Sequence, residues 1–193
     1  GDSIYIESPA GRQVLIDSGP GSRVLSELGE VMPWHDRSID VLLETHPDAD
    51  HNGAFGRILD TYDVSYFLEG GHIKDTATYK SLRRKIEEYG VPTVLLRRGM
   101  QVDMGHGAGL GVLYRDRDVS RIKDGGDACI VLRLTFRGKS FLLTGDSTVR
   151  VEGRVLQYGT ESVMSDVLKL GHHGSRTSTG ATFLAAVQPS YAI

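Results

Sequence analysis

Residues 45–51, Thr-His-Pro-Asp-Ala-Asp-His, place four side chains that can bind a metal ion, His46, Asp48, Asp50 and His51, within six positions. The run just before them, residues 39–44, is short and apolar, as a buried strand is, and a helical pattern follows over residues 53–61. A rigid strand end can aim several side chains at one point, which is what a metal centre requires. The competing explanation is a polar surface loop that holds His and Asp by chance. Four ligand types in six positions between apolar elements disfavour it. Two more strand-like segments end in the same chemistry: residues 141–146 stop at Asp146, and residues 167–175 run from an apolar stretch into His172 and His173. Alone, Asp146 suits the N-cap of a helix starting at Ser147 equally well, and the two histidines suit a polar turn. Three such strand ends together point to one shared site.

The composition narrows the setting. The 193 residues are enough for one domain with a sizeable core. A net charge of −3 argues against a protein that coats nucleic acid non-specifically. The 39% hydrophobic and 24% charged fractions exclude a disordered chain. Glycine, 24 residues or roughly 12% against about 7% in average usage, implies many tight turns rather than a helix bundle. The single cysteine, Cys129, excludes an intrachain disulfide and a Cys-based zinc site. In the apolar stretch 128–132 it is expected to be a small buried hydrophobe. No apolar run approaches the ~18–20 residues that span a bilayer, and the opening Gly-Asp-Ser-Ile-Tyr is no signal peptide. The piece as given is therefore expected to be soluble. Both ends lie in strand-like runs, so residues 1–193 are expected to be one domain truncated at both ends, within a longer protein.

Strand patterns fall at residues 3–7, 13–16, 39–44, 64–68, 94–96, 111–114, 129–136, 140–143 and 167–170, with another at the C-terminal end. Helix patterns fall at 22–29, with Ser22 as a cap, and at 53–61, 76–89, 147–158 and 181–187. The clearest carries Tyr79, Leu82 and Ile86 on one face. Mixed strands and helices of this kind suggest layered sheets covered by helices, with function in the loops at strand ends.

The segment 45–51 resembles the H-x-H-x-D-H motif of the metallo-β-lactamase superfamily, with Asp48 at its second His. Asp17 in Leu-Ile-Asp-Ser-Gly, Asp146 in Leu-Thr-Gly-Asp, and His172-His173-Gly174-Ser175 occur in that superfamily's order. The His-Pro-Asp-Ala-Asp-His variant, the opening Gly-Asp and residues 169–178 resemble a narrower group, the C-terminal domains of ComEC competence proteins, inner-membrane DNA channels of natural transformation. The resemblance implies an α/β (α+β) fold, a four-layer αββα metallo-β-lactamase sandwich of two mixed sheets covered by helices. It implies a metal-dependent hydrolase, a nuclease acting on incoming DNA, with single-stranded DNA as the expected substrate. It also places the domain in a bacterial inner-membrane protein whose channel part lies in the same longer chain, with no nucleotide cofactor.

Carried over residue by residue, His46, Asp48, Asp50, His51, Asp146 and one of His172 and His173 would surround one or two divalent ions. Asp146 would bridge them, and Asp50 would also orient the attacking water. Asp17 would support the site from its loop. Asp50, His51 and Lys169 form the candidate catalytic set, with Lys169 either a phosphate contact or an ion-pair partner. Ser175, Thr177 and Ser178 are candidate phosphate contacts. Asp48 in place of His makes the ligand set oxygen-rich, which favours Mn²⁺ beside Zn²⁺. The superfamily's third-motif His has no counterpart in residues 124–127, Asp-Gly-Gly-Asp, where Asp127 is a candidate supporting residue. His35, His72 and His106 match no motif and are expected to be structural or exposed.

A substrate path would be cationic somewhere. Arg83-Arg84-Lys85, Arg97-Arg98, and Arg115, Arg117, Arg121 and Lys123 are candidates, the last group interleaved with Asp116, Asp118 and Asp124. Three readings follow: a metal-dependent nuclease or phosphodiesterase; a metallohydrolase on another ester, lactone or small phosphodiester; and a non-catalytic domain that binds DNA or supports the channel.

Overall fold

A computed structural model describes residues 1–115 and 118–193. Its strands alternate their side chains between two covered faces, and this builds four layers. The first sheet has the order β1-β2-β3-β4-β5, with β1 Ile4–Glu7, β2 Gln13–Ile16, β3 Ser38–Glu44, β4 Asp63–Glu69 and β5 Thr93–Leu95. β1 is antiparallel to β2, and the other neighbours run parallel. In β3, Leu42 faces the helices while Val41 and Leu43 face the second sheet. Both faces are covered, which explains the near-continuous apolar run.

The second sheet has the order β11-β10-β9-β8-β7-β6. It comprises β6 Gln101–Asp103, β7 Gly109–Tyr114, β8 Val131–Phe136, β9 Lys139–Leu143, β10 Val167–Lys169 and β11 Tyr191–Ala192. β6 to β9 pair antiparallel, and β9, β10 and β11 pair parallel. Val14, Ile16, Val41, Leu43 and Leu68 of the first sheet pack against Leu110, Val112, Leu132 and Leu143 of the second.

Helices cover the outer faces. α1 Arg23–Val31, α3 Phe55–Leu59 and α4 Ala77–Glu88 bury Val24, Leu28, Phe55, Ile58, Leu82 and Ile86 on the first sheet. α6 Val149–Leu156 and α7 Ala181–Val187 bury Val151, Val155, Phe183 and Val187 on the second. The αββα sandwich is therefore present. α4 starts at Thr76, whose hydroxyl accepts from the Tyr79 amide at 3.2 Å, and it ends before Gly90 in the left-handed conformation, φ 66°. Among the described residues no helix is long and apolar enough to cross a membrane.

Several local expectations are corrected. The helix expected over 53–61 is shortened to α3, and residues 49–52, expected in the preceding loop, form a separate helical turn, α2 Ala49–Asn52. The break lies at Gly53, where a Cβ would sit 2.5 Å from the Ala49 carbonyl oxygen and 2.8 Å from that of Pro20. The backbone of the loop after β2 packs there, and only glycine leaves room. The strand expected from Cys129 begins at Val131, because Gly125–Ala128 forms a single helical turn, α5. β6, with Val102 alone as its apolar residue, has too little pattern to be read from sequence. Ser22 also makes no side-chain cap on α1. Cys129 is buried, and burial pushes its thiol pKa up, as a small hydrophobe requires.

The layer assignment makes a stability prediction. Leu42→Ala, at a fully buried site between the first sheet and its helices, is expected to lower the unfolding free energy by about 2–5 kcal/mol. Trp34→Ala, at a site 86% exposed, is expected to change it by less than about 0.5 kcal/mol. Urea denaturation followed by circular dichroism checks both.

Candidate metal centre

The site is built from the back. Asp17 follows β2 in the left-handed conformation, φ 56°, and is almost completely buried. Its Oδ1 accepts from the Thr45 amide at 2.8 Å and its Oδ2 from the Thr45 hydroxyl at 2.7 Å. The same Oδ2 lies 2.8 Å from His51 Nδ1. His51 Nδ1–H donates to the Asp17 carboxylate, so His51 presents Nε2 to the centre. The Thr45 hydroxyl spends its hydrogen on Asp17 and accepts from His46 Nδ1 at 3.0 Å. One buried carboxylate thereby sets both imidazoles, His51 directly and His46 through Thr45.

In front of them stands Asp146, three residues beyond β9. His51 Nε2 is 3.3 Å and His172 Nε2 3.7 Å from Asp146 Oδ2, and His173 Nε2 is 3.6 Å from Oδ1. Asp50 Oδ2 is 3.6 Å from His51 Nε2 and 3.5 Å from His173 Nε2. Ligand atoms of Asp50, His51, Asp146 and His173 all lie within 4.8 Å of one another. His46 stands to one side, its Nε2 3.9 Å from both Asp48 Oδ1 and Asp146 Oδ2. Asp146 thus lies between two groups of side chains. It does not cap α6, whose N-cap is Thr148.

The histidine pair is aimed by its backbone. His172 and His173 have φ 47° and 54°, and Gly174 follows at 77°. Each left-handed non-glycine residue costs about 1–2 kcal/mol, and such strain collects at functional sites. His173 Nδ1 lies 3.2 Å from Asp2 Oδ1, and Asp2 Oδ2 lies 2.9 Å from Lys169 Nζ. Asp2 does for His173 what Asp17 does for His51. It sits far from the histidines in sequence, and only the resemblance at the opening Gly-Asp hinted at it.

The electrostatics suit a cation. Burial opposes charge on His51, yet the carboxylates of Asp146 and Asp17 push its pKa up to about 10. Burial likewise opposes charge on Asp146, but contact with His51 lowers its pKa to about 2. His46 is shifted downward by burial, so it is a neutral donor. His51 Nε2 and Asp146 Oδ1 are buried without a hydrogen-bond partner. Two imidazoles and two carboxylates, with two orphaned polar atoms facing one point, fit a divalent ion of the Zn²⁺ or Mn²⁺ type.

Other candidates lie elsewhere. Asp127 accepts from the Thr148 hydroxyl at 2.7 Å and pairs with Arg150, which ties α5 to α6 away from the cluster. Lys169 is held on Asp2 and donates to the Leu170 carbonyl at 3.0 Å. Ser175 and Thr177 share a hydrogen bond of 2.9 Å, and Thr177 Oγ1 is 3.4 Å from His172 Nδ1, on the exposed side. Ser178 is buried and gives its hydroxyl to the Ser147 carbonyl at 2.7 Å, so it faces away from substrate. Asp48 is held by Lys74, a partner that lies 26 positions away and has no sequence signal. His72 is buried, with Nε2 2.7 Å from the Ile122 carbonyl oxygen.

Several candidate cations are engaged at home. Arg83 lies 3.0 Å from Glu69, Lys85 pairs with Asp60, Arg98 stacks 4.1 Å over Tyr158, and Arg115 is buried. Asp116 and Arg117 lie outside the described residues.

The family model of the metallo-beta-lactamase superfamily matches residues 1–193, and the chain belongs to that superfamily. It is similar to ComE operon protein 3 of Bacillus subtilis (strain 168), 29% identical over 216 residues, covering 100% of this chain and 26% of that protein. It is also similar to competence protein ComA of Neisseria gonorrhoeae, 34% identical over 163 residues, covering 81% of this chain and 20% of the relative. The chain thus spans about a quarter or less of the length of these relatives. Among solved structures, the metallo-beta-lactamase fold protein YhfI from Bacillus subtilis superposes with a TM-score of 0.56 at 15% identity, covering 87% of this chain and 61% of the other. That likeness concerns the fold.

The two supporting carboxylates generate a prediction. Asp17→Asn and Asp2→Asn are each expected to weaken divalent-ion affinity about 10–100-fold with the fold retained. Competition against a chromophoric chelator measures the affinity, and unchanged affinity in both variants would contradict the positioning roles.

Proposed function

We propose that the chain is a metal-dependent phosphodiesterase that cuts DNA as it enters the cell, as one domain of a longer inner-membrane protein. Metallo-β-lactamase folds are generally hydrolytic enzymes, and this chain carries that fold. The observation that carries the reading is the convergence of Asp50, His51, Asp146 and His173 on one point. DNA as substrate is supported by the likeness to a relative named competence protein ComA and by the motif resemblance.

Asp50, His51, Asp146 and His173 would hold a divalent ion, and when bound it would supply water activation and charge stabilisation on a phosphate. Asp50, whose side chain is 45% exposed, stands on the open side of the cluster. There it accepts the proton of the incoming water and aligns it for in-line attack on phosphorus, while the opposite P–O bond breaks and the departing oxygen takes a proton from solvent. Asp17 and Asp2 keep the Nε2 atoms of His51 and His173 turned inward. The Ser175 and Thr177 hydroxyls, exposed beside His172, donate to phosphate oxygens. Lys169, held on Asp2, acts by positioning rather than by touching substrate.

One observation favours a second reading, a hydrolase of a small ester or phosphodiester. The net charge is −3, and Arg83 and Lys85 are engaged in ion pairs, which leaves little basic surface for a long polyanion.

Incubation of the chain with end-labelled single-stranded DNA and Mn²⁺ or Zn²⁺ separates the readings. Cutting is expected, lost with EDTA and reduced at least about 10²-fold in Asp50→Ala. A metal-loaded chain inert to DNA but active on small phosphodiesters would move the conclusion to the second reading. A chain inert to both would leave a DNA-binding or channel-supporting domain.

A further inference from the structure

Lys74 lies in the segment between β4 and α4, and its ammonium sits on Asp48 Oδ1. Its place is set by its neighbours. The Ile73 amide donates to the Ser120 carbonyl at 3.4 Å, and the buried His72 ring contacts the Ile122 carbonyl. The oxygen that Lys74 takes is also the Asp48 oxygen nearest His46, 3.9 Å from its Nε2. We propose that the Lys74 ammonium stands in for a second metal ion beside His46 and Asp48, so that the centre binds one divalent ion tightly, on Asp50, His51, Asp146 and His173.

Two further observations carry this. First, the α5 turn supplies no ligand to the His46 side. A Cβ on Gly125 would lie 2.5 Å from Asp48 Oδ1 and 2.8 Å from His46 Cδ2, so the backbone fills the space where a side chain would enter. Asp127 in the same turn is spent on Thr148 and Arg150. Second, among the described residues one group of ligand atoms closes within 4.8 Å, and neither His46 nor Asp48 belongs to it. Oxygen at position 48, in place of a neutral imidazole, is what an ammonium needs: Lys offers three donors and no acceptor, and a carboxylate accepts them. A divalent ion in that place would face the ammonium as a like charge, so it enters only when Lys74 leaves.

The inference rests on the metal-centre reading, and its test does not depend on activity. The chain is dialysed against a series of buffered free Zn²⁺ concentrations, and bound zinc per chain is measured by elemental mass spectrometry. The wild-type chain is expected to hold a plateau at one ion. Lys74→Met is expected to take a second ion at free Zn²⁺ at least about tenfold lower than wild type does. Lys74→Arg, which keeps the charge, is expected to retain the plateau at one. Circular dichroism confirms the fold of each variant, and Lys74→Gln replaces Lys74→Met if that variant does not fold.

Wild-type chain that binds two ions with equal affinity overturns the inference and leaves the metal centre standing. Lys74→Met that titrates like wild type also overturns it. Wild-type chain that binds none overturns both.

Discussion

The buried Asp17 carboxylate is the interaction on which the rest of the centre depends. It accepts from the Thr45 amide and hydroxyl and holds His51 Nδ1, at 2.7–2.8 Å throughout. A buried carboxylate is tolerated when it is fully paired, and here each partner is itself part of the site. Removing it would leave His51 without an orienting partner and Thr45 free to turn, and His46 would lose its tautomer control. The left-handed backbone at Asp17 is the local strain that places the carboxylate under the loop rather than along the strand.

Sheet topology explains why distant segments meet. β2 and β3 are parallel with Ile16 beside Leu43, so the chain leaves both strands at the same edge, with Asp17 under residues 45–51. β9 and β10 are parallel with Leu143 beside Lys169. Asp146 and His172 each follow three residues later and emerge together. The Ile130 amide donates to the Thr45 carbonyl at 3.1 Å, which joins the two sheets at the site. The four layers thus serve one end: two parallel strand pairs deliver carboxylates and histidines to a shared rim.

What was legible in the sequence follows from this geometry. The strand ends at Glu44, Leu143 and Lys169 could be read because buried strands are short apolar runs and the chemistry follows each one directly. The αββα layering was legible through the resemblance, since periodicity alone gives layered sheets and no order. Asp2 and Lys74 were not legible as partners of the centre, because each reaches it from a separate segment and neither carries a local pattern. The turning away of Ser178 and Asp127 was equally hidden: a hydroxyl or carboxylate beside a motif looks the same whether it faces substrate or a neighbouring backbone. Gly53 and Gly125 appear in the sequence as ordinary turn formers, and only packing shows that each admits a backbone where a side chain would clash.

The charge balance draws these pieces together. Asp2, Asp17, Asp48, Asp50 and Asp146 crowd one rim, and the ammonium groups that meet them are those of Lys74 and Lys169. Such a rim is stable with a divalent ion in its front group and lysines behind and beside it. An anomalous-difference map from crystals grown with Zn²⁺, collected at the zinc edge, tests this directly. The account predicts a peak about 2.0–2.2 Å from ligand atoms of Asp50, His51, Asp146 and His173. A map with no peak among those four side chains, or with zinc bound elsewhere on the chain, would contradict it.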